Sequence, residues 1–253
     1  MFVRGLLERE EPDVVMHLAG GTHTAPADRL EALNVGATRN LLEAMRPGTR
    51  MVLGSTGSVY GDTQGRAQGE DHPTVPLTAY AQSKLRAEEV AEAVAEERGI
   101  SLVVARIFNV VGPGQPRSYL PGVLAAQLAE IQERGAQPLL RMGPLTTSRD
   151  YIDVRDVASA LWVLAVSDVQ GAVNVASGIE TPVSRVLDIL LELSGLEVRI
   201  EWLPPFPANV PRQVADIGVI SQLGYESSIA LRRSLRDLLD DCVQRAGRMN
   251  ETA

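Results

Sequence analysis

The sequence predicts an α/β fold, a parallel sheet covered by helices, and three observations carry that expectation. Short β-rich runs alternate with longer amphipathic runs along the chain. The short runs are almost wholly apolar, as strands become when helices cover both faces. At 253 residues the chain can bury a substantial core, as one domain or as one domain with a small appendage.

Residues 2–10 read as the end of a helix. Asp13-Val14-Val15-Met16-His17-Leu18-Ala19 is a short apolar strand, followed by a helix over roughly 27–46 and a strand at Arg50-Met51-Val52-Leu53-Gly54-Ser55. The polar segment 61–78, with Gly, Asp and Pro throughout, reads as a loop. A helix from about 79 to 98 stops at Gly99, a normal C-terminal signal, and the strand Ser101–Ile107 follows. Beyond Val111-Gly112-Pro113-Gly114 the grain changes. A helix near 120–134 leads to a short strand around Leu139–Met142 and to the segment Arg149-Asp150-Tyr151-Ile152-Asp153-Val154. Further helices are expected near 155–166, 182–194, 216–223 and 229–246, with short strands at Ala172–Val175 and Glu197–Trp202. Residues 1–115 thus form the core. Residues 116–253 form a mixed cap packed on the sheet, its late strands and helices returning to the core. The chain has no internal repeat, low-complexity tract or long linker.

Composition narrows the function classes. The content is 45% hydrophobic and 22% charged, ordinary for a globular protein. A net charge of -8 argues against nucleic acid or an anionic membrane as partner. One cysteine, Cys242, excludes an internal disulfide and a cysteine-rich metal site. The three histidines, His17, His23 and His72, lack metal-ligand spacing, so no metal is expected. The first ten residues are too charged for a signal peptide, and no apolar run approaches membrane-spanning length. The expected location is cytoplasmic.

The chemistry is carried by Tyr80-Ala81-Gln82-Ser83-Lys84. A tyrosine and a lysine four apart share one helical face, where an ammonium can favour the phenolate. Unperturbed tyrosine titrates near 10, so a cation that brings it toward neutrality helps proton transfer at a carbinol or carbonyl. Taken alone, the spacing is common and is usually surface packing. Its context adds weight: Ser55-Thr56 ends an apolar strand, and Asn109 and Gly112 follow the next one. Ligands of open parallel sheets bind at the carboxyl ends of strands.

Several stretches together resemble the extended short-chain dehydrogenase/reductase family, of the NAD-dependent epimerase/dehydratase type. They are Asp13–Gly20, Asn34-Val35-Gly36-Ala37-Thr38 through Ala44, and Ser55-Thr56-Gly57-Ser58-Val59-Tyr60-Gly61. Pro76-Leu77-Thr78-Ala79-Tyr80-Ala81-Gln82-Ser83-Lys84, Arg106-Ile107-Phe108-Asn109-Val110-Val111-Gly112-Pro113 and Arg149–Val157 continue the match. Val173–Gly178, Ala215-Asp216-Ile217 and Leu223-Gly224-Tyr225 complete it in the family's order. The resemblance implies a Rossmann-like doubly wound sheet with a small C-terminal α/β substrate cap. It implies Tyr80 as proton donor or acceptor, Thr56 hydrogen-bonded to the same substrate oxygen, and Lys84 lowering the tyrosine pKa and holding a nicotinamide ribose. Leu18, Ala19, Gly20, Lys84, Phe108 and Val110 would line an NAD or NADP site. His23, Ser58, Asn109, Arg149 and Arg212 would hold a sugar-nucleotide-like substrate, Arg149 being suited to a phosphate or carboxylate.

The chain also departs from the family pattern. It starts inside a helix, without the Gly-x-x-Gly-x-x-Gly turn that binds pyrophosphate. Two overlapping βαβ units, roughly sixty residues, would be absent. The expectation is a partial sheet with its first strands missing and no tight NAD binding by this polypeptide alone. The strand at 13–19 would then be an exposed edge, covered by a homodimer or other oligomer; in the family the helices at 27–46 and 79–98 dimerise. Gly57-Ser58 stand where the family's dehydratases carry Asp-Glu, and Phe206 where an arginine holds the diphosphate. The expected function is an epimerase or reductase acting at a carbinol or carbonyl carbon. A redox-neutral isomerase, lyase or cyclase without cofactor, and a non-catalytic binding subunit, stand as alternatives.

Overall fold

The apolar runs pair in parallel in the computed structural model, which describes residues 2–204 and 210–251. Helix α1 (Phe2–Glu10) leads into β1 (Val14–His17). α2 (Ala27–Leu30), a π-helical stretch at Glu31–Gly36 and α3 (Ala37–Ala44) run on without a break. β2 (Arg50–Thr56) ends in a 3-10 turn at Gly57–Tyr60, and α4 (Ala79–Arg98) precedes β3 (Ser101–Ile107) and β4 (Asn109–Val111). Then come α5 (Leu120–Arg134), β5 (Leu139–Met142), β6 (Ser148–Asp153), α6 (Val154–Val166) and β7 (Gly171–Val175). The chain continues through β8 (Glu180–Pro182), α7 (Val183–Ser194), β9 (Arg199–Trp202), β10 (Arg212–Gln213), α8 (Gly218–Gln222) and α9 (Leu231–Glu251).

The core sheet has the order β1-β2-β3-β7, every pairing parallel. Alternation along β2 and β3 divides their side chains between two layers. Met51, Leu53, Leu102 and Val104 pack with Leu42 of α3 and Ala91, Val94 and Ala95 of α4. Val52, Val103 and Ala105 face the other way, onto Ala160, Leu161 and Leu164 of α6. Both faces are apolar because both are covered. β1 lies at the edge of this sheet, and its Val14 and Met16 are exposed.

The cap is built from small sheets, β10-β6-β4 with β8 on β6, and β5 with β9. Leu124 and Leu128 of α5, Val186 and Leu190 of α7, and Leu235 and Leu238 of α9 close a second core over Leu140 and Met142. The short strands β8 and β10 are not expected from the sequence, and two further elements differ from it. Asn109–Val111 forms a strand pairing β6, because the chain leaves the core sheet after Ile107 and joins the cap. The helix over 27–46 contains a π-helical stretch, which places Asn34 inward.

Asp150 on β6 ties cap to core. Fully buried, its carboxyl accepts from Ser177 N (2.9 Å) and Oγ (2.6 Å), Gly178 N (2.9 Å) and Ala215 N (3.3 Å). An Asp150→Ala substitution removes the common acceptor of these donors, of which Ala215 N is buried. The unfolding free energy in urea is expected to fall by about 3 kcal/mol or more; a loss under about 1 kcal/mol would mean the hub does not hold the cap.

Candidate active site

In a parallel sheet the strand ends meet at one edge, and here β1, β2 and β3 deliver the candidate residues to it. Thr56, the last residue of β2, is extended (φ -144°, ψ 143°), and its hydroxyl accepts from Ser58 N at 3.2 Å, opening the 3-10 turn. Thr78 caps α4 in the same way, accepting from Ala81 N at 3.2 Å. Tyr80 and Lys84 therefore sit on the first turns of a capped helix, whose backbone is fixed before any ligand arrives.

Burial pushes the Tyr80 phenol up to about 12, the Tyr119 hydroxyl pushes it further, and Thr56, facing the same oxygen, pulls the other way. Lys84 is drawn down by burial, and Glu88, one turn further along α4, opposes that. Its Nζ donates to the Gly54 carbonyl. His17 of β1 is lowered by burial and by the Lys84 charge. The expected depression of Tyr80 by Lys84 is therefore not what the geometry gives. The phenol lies above its ordinary value, and the ammonium is engaged with the end of β2.

Lys84 has a further distinction. It is the only lysine among the 24 lysines and arginines of the chain. A guanidinium stays charged, whereas an ammonium is compact and loses its proton readily when buried. The one position that keeps lysine is the one beside the tyrosine.

A second group holds the α4 turn from behind. Asn34 Oδ1 accepts from Gly21 N (2.8 Å), and its Nδ2 donates to Gly21 O (3.2 Å) and to Ser83 Oγ (2.8 Å). Ser83 Oγ in turn donates to Tyr80 O (2.8 Å). This ties the loop after β1 to the Tyr80 backbone. Sequence reasoning missed the role of Asn34 because its partners lie 13 and 49 residues away.

The other candidates divide. Asn109 Nδ2 donates to Asp150 O at 3.1 Å, and the Val110 carbonyl accepts from Gln115 Nε2 at 2.6 Å. The Phe108 ring packs on Gly57, where a Cβ would approach it to 2.8 Å, and against Tyr60. Leu18 is exposed beyond β1. His23 stands edge-on to Tyr119, ring centroids 4.8 Å apart, and its Nε2 donates to Ser118 O at 3.3 Å. Tyr119, not anticipated from the sequence, is thus the aromatic wall facing Tyr80. Ser58 and Arg149 line one cleft of about 140 Å³ with Gly61, Leu77, Thr78, Val210 and Gln213. Burial lowers the Arg149 guanidinium, and its Nη1 donates to Ser148 O at 2.8 Å. Arg212 is placed outside that cleft. It pairs with Glu180 at 2.9 Å and donates to Gly65 O at 2.9 Å, a clasp between β10, β8 and the 61–78 loop. Phe206 lies outside the described residues.

Residues 2–176 match the model of the NAD dependent epimerase/dehydratase family. The chain belongs to that family. It is 34% identical over 243 residues to the dTDP-6-deoxy-L-talose 4-dehydrogenase (NAD(P)(+)) of Kitasatospora kifunensis, covering 92% of this chain and 76% of that protein. It is also 34% identical, over 255 residues, to the GDP-6-deoxy-D-mannose reductase of Pseudomonas aeruginosa, covering 95% of this chain and 84% of the other. Among solved structures, RMD from Pseudomonas aeruginosa complexed with NADPH superposes with a TM-score of 0.87 at 30% identity, over 92% of this chain and 82% of that one. The Thermus thermophilus UDP-glucose 4-epimerase complex with NAD gives 0.82 at 26% identity, over 95% and 80%.

The residues at the sheet edge fit the nicotinamide end of such a cofactor. Gly20 leaves the backbone bare beside the ammonium: a Cβ there would come within 2.6 Å of Asn34 Oδ1 and 4.0 Å of Lys84 Nζ. That cradle and the donors of Lys84 suit a ribose hydroxyl.

All five tyrosines, 60, 80, 119, 151 and 225, are raised above the ordinary phenol value, burial being the first cause in each. A raised folded pKa means that the folded state holds these protons more tightly. The resulting stability is complete below pH ~10 and is lost as pH rises through the folded values. Tyrosinate absorbance near 295 nm should therefore jump when the protein is unfolded by urea at pH 10, and thermal stability should fall above that pH. Equal absorbance in the two states would contradict the burial of these phenols.

Proposed function

We propose that the chain is a nicotinamide-dependent enzyme of sugar nucleotides that interconverts a ring ketone and the corresponding alcohol, chemistry of the epimerase/reductase type. The observation that carries this reading is the convergence of Thr56, Tyr80 and the single lysine Lys84 at the carboxyl edge of the sheet, beside a cleft lined by Arg149. The two relatives at 34% identity are named as a dehydrogenase and a reductase of 6-deoxyhexose nucleotides, which supports a 4-keto or 4-hydroxy-6-deoxyhexose nucleotide as the substrate.

Tyr80 gives its proton to the ketone oxygen in the reducing direction and takes it back in the oxidising direction. A phenol held up at about 12 stays protonated across the neutral range, so it is ready as an acid without adjustment. As a base it needs help: Thr56, facing the same oxygen, favours the phenolate, and the Lys84 ammonium on the next turn of α4 is proposed to play the same part in the substrate complex. Thr56 hydrogen-bonds the same substrate oxygen and aligns it. Gly20 and Lys84 would hold the nicotinamide ribose, and the cofactor would supply or take up the hydride when bound. Arg149 and Ser58 bind the substrate side of the cleft, and His23 with Tyr119 forms its aromatic wall.

The assembly belongs to the same proposal. An apolar edge strand with Val14 and Met16 exposed supports a homodimer or other oligomer; the proposed location is the cytoplasm. Light scattering at micromolar concentration is expected to give more than the monomer mass, and a clean monomer would count against it.

The activity itself is read at 340 nm with GDP-6-deoxy-D-mannose or dTDP-6-deoxy-L-talose and NAD⁺ or NADP⁺. Oxidation should speed up as pH rises from 7 toward 10, because Tyr80 is more easily deprotonated there, while reduction of the 4-keto sugar stays flat. Tyr80→Phe should lower kcat by about 10²- to 10⁴-fold with the fold intact. Full turnover by a folded Tyr80→Phe enzyme would remove the proton-transfer role.

A further inference from the structure

A buried ion pair stands directly behind the site and has no part in the chemistry above. Glu88 is 2% exposed. Its Oε1 accepts from Ser55 Oγ, and its Oε2 accepts from Arg106 Nε at 3.1 Å and Nη2 at 2.8 Å. The three residues come from α4, β2 and β3; α4 and β2 also carry Tyr80 and Thr56, and β3 leads into the loop and strand that carry Asn109.

We propose that Glu88, held by Arg106 and Ser55, is a positioning residue that fixes Lys84 at the reacting end of the site; this rests on the proton-transfer reading of Tyr80 and Lys84.

The connectivity is short. Gly54 accepts from Lys84, Ser55 donates to Glu88, and Thr56 faces Tyr80, so three consecutive residues of β2 are each joined to α4. Glu88 lies four residues after Lys84 and therefore on the same helical face. A slip of α4 along β2 breaks all three links together. The charge itself also needs a reason. An apolar pair of similar volume commonly stabilises a core as well as a buried ion pair does. A carboxylate one turn from a buried ammonium does what an apolar pair cannot: it keeps the ammonium charged. The groups that face this cluster are His17 from β1, Glu92 from α4 itself, Glu70 from the 61–78 loop and Tyr60 from the 3-10 turn, whose ring lies 4.9 Å from the Arg106 guanidinium carbon. None of these opposes the effect of burial on Lys84; Glu88 does.

Because Lys84 is the sole lysine, lysine labelled with ¹³C at Cε gives one side-chain signal whose pH titration reads this ammonium directly, without substrate or cofactor. In folded Glu88→Gln the midpoint should move down from wild type. With GDP-6-deoxy-D-mannose and NADP⁺, kcat should fall on the order of tenfold at pH 7 with KM nearly unchanged, and Glu88→Asp should recover part of the loss. Should Glu88→Gln fail to fold, the double variant Glu88→Gln with Arg106→Gln replaces the ion pair by neutral hydrogen-bonding amides and is expected to show the same downward movement. A Lys84 midpoint equal to wild type in either folded variant overturns the proposal. Tyr80→Phe separates the two levels. If it abolishes turnover while Glu88→Gln changes neither midpoint nor kcat, the positioning role alone is lost. If it retains turnover, the proton-transfer reading fails, whatever the titration shows.

Discussion

A parallel sheet brings the carboxyl ends of its strands to a common edge, and that constraint assembles everything else in this molecule. β1 ends in Leu18-Ala19-Gly20, β2 in Gly54-Ser55-Thr56, and β3 runs on into Asn109. The register holds these ends level through hydrogen bonds deep in the core, far from any ligand. α4 then lies across them with Tyr80 and Lys84 on its first turns, and its placement is fixed by the Thr78 cap, by Asn34 through Ser83, and by the buried Glu88–Arg106 pair. A site built this way is rigid before substrate binds, which is what positioned proton transfer requires.

Burial is the second physical theme, and it acts in opposite directions on the two titrating groups. It raises the Tyr80 phenol and lowers the Lys84 ammonium, so both favour their neutral forms. An acid with its proton in place suits ketone reduction. Under the proposed reaction, carboxylate support for the ammonium is what would let the same pair also work as a base. The absence of any other lysine fits this account, because arginine could not take part in such a balance.

The sequence was most legible where periodicity and local spacing carry the information. The core strands, α4 with its Gly99 stop, and the four-residue spacing of Tyr80 and Lys84 on that helix could all be read from residues near one another. The ties between distant segments could not. Arg106 and Glu88 lie 18 residues apart, Ser55 and Glu88 33, and Asn34 and Ser83 49, and nothing local marks them as partners. The strand at Asn109–Val111 was also hidden, since its partner is β6 of the cap and three residues are too few for a pattern. Arg212 shows the reverse hazard: a free-looking arginine in the sequence is engaged by Glu180 and the Gly65 carbonyl once the chain is folded. Charge on Lys84 was foreseen as lowering Tyr80, but burial is the larger influence on the phenol, and burial is a property of the fold.

In the proposed reaction a hydride passes to or from the carbon whose oxygen Tyr80 would protonate. The decisive measurement is mass analysis of the sugar nucleotide formed from a 4-keto-6-deoxyhexose nucleotide and nicotinamide cofactor deuterated at its transferable position. One deuterium per product, lost in proportion to activity in Tyr80→Phe, is the predicted result. Turnover in ordinary water that leaves the product free of deuterium would contradict it and would return the site to redox-neutral chemistry.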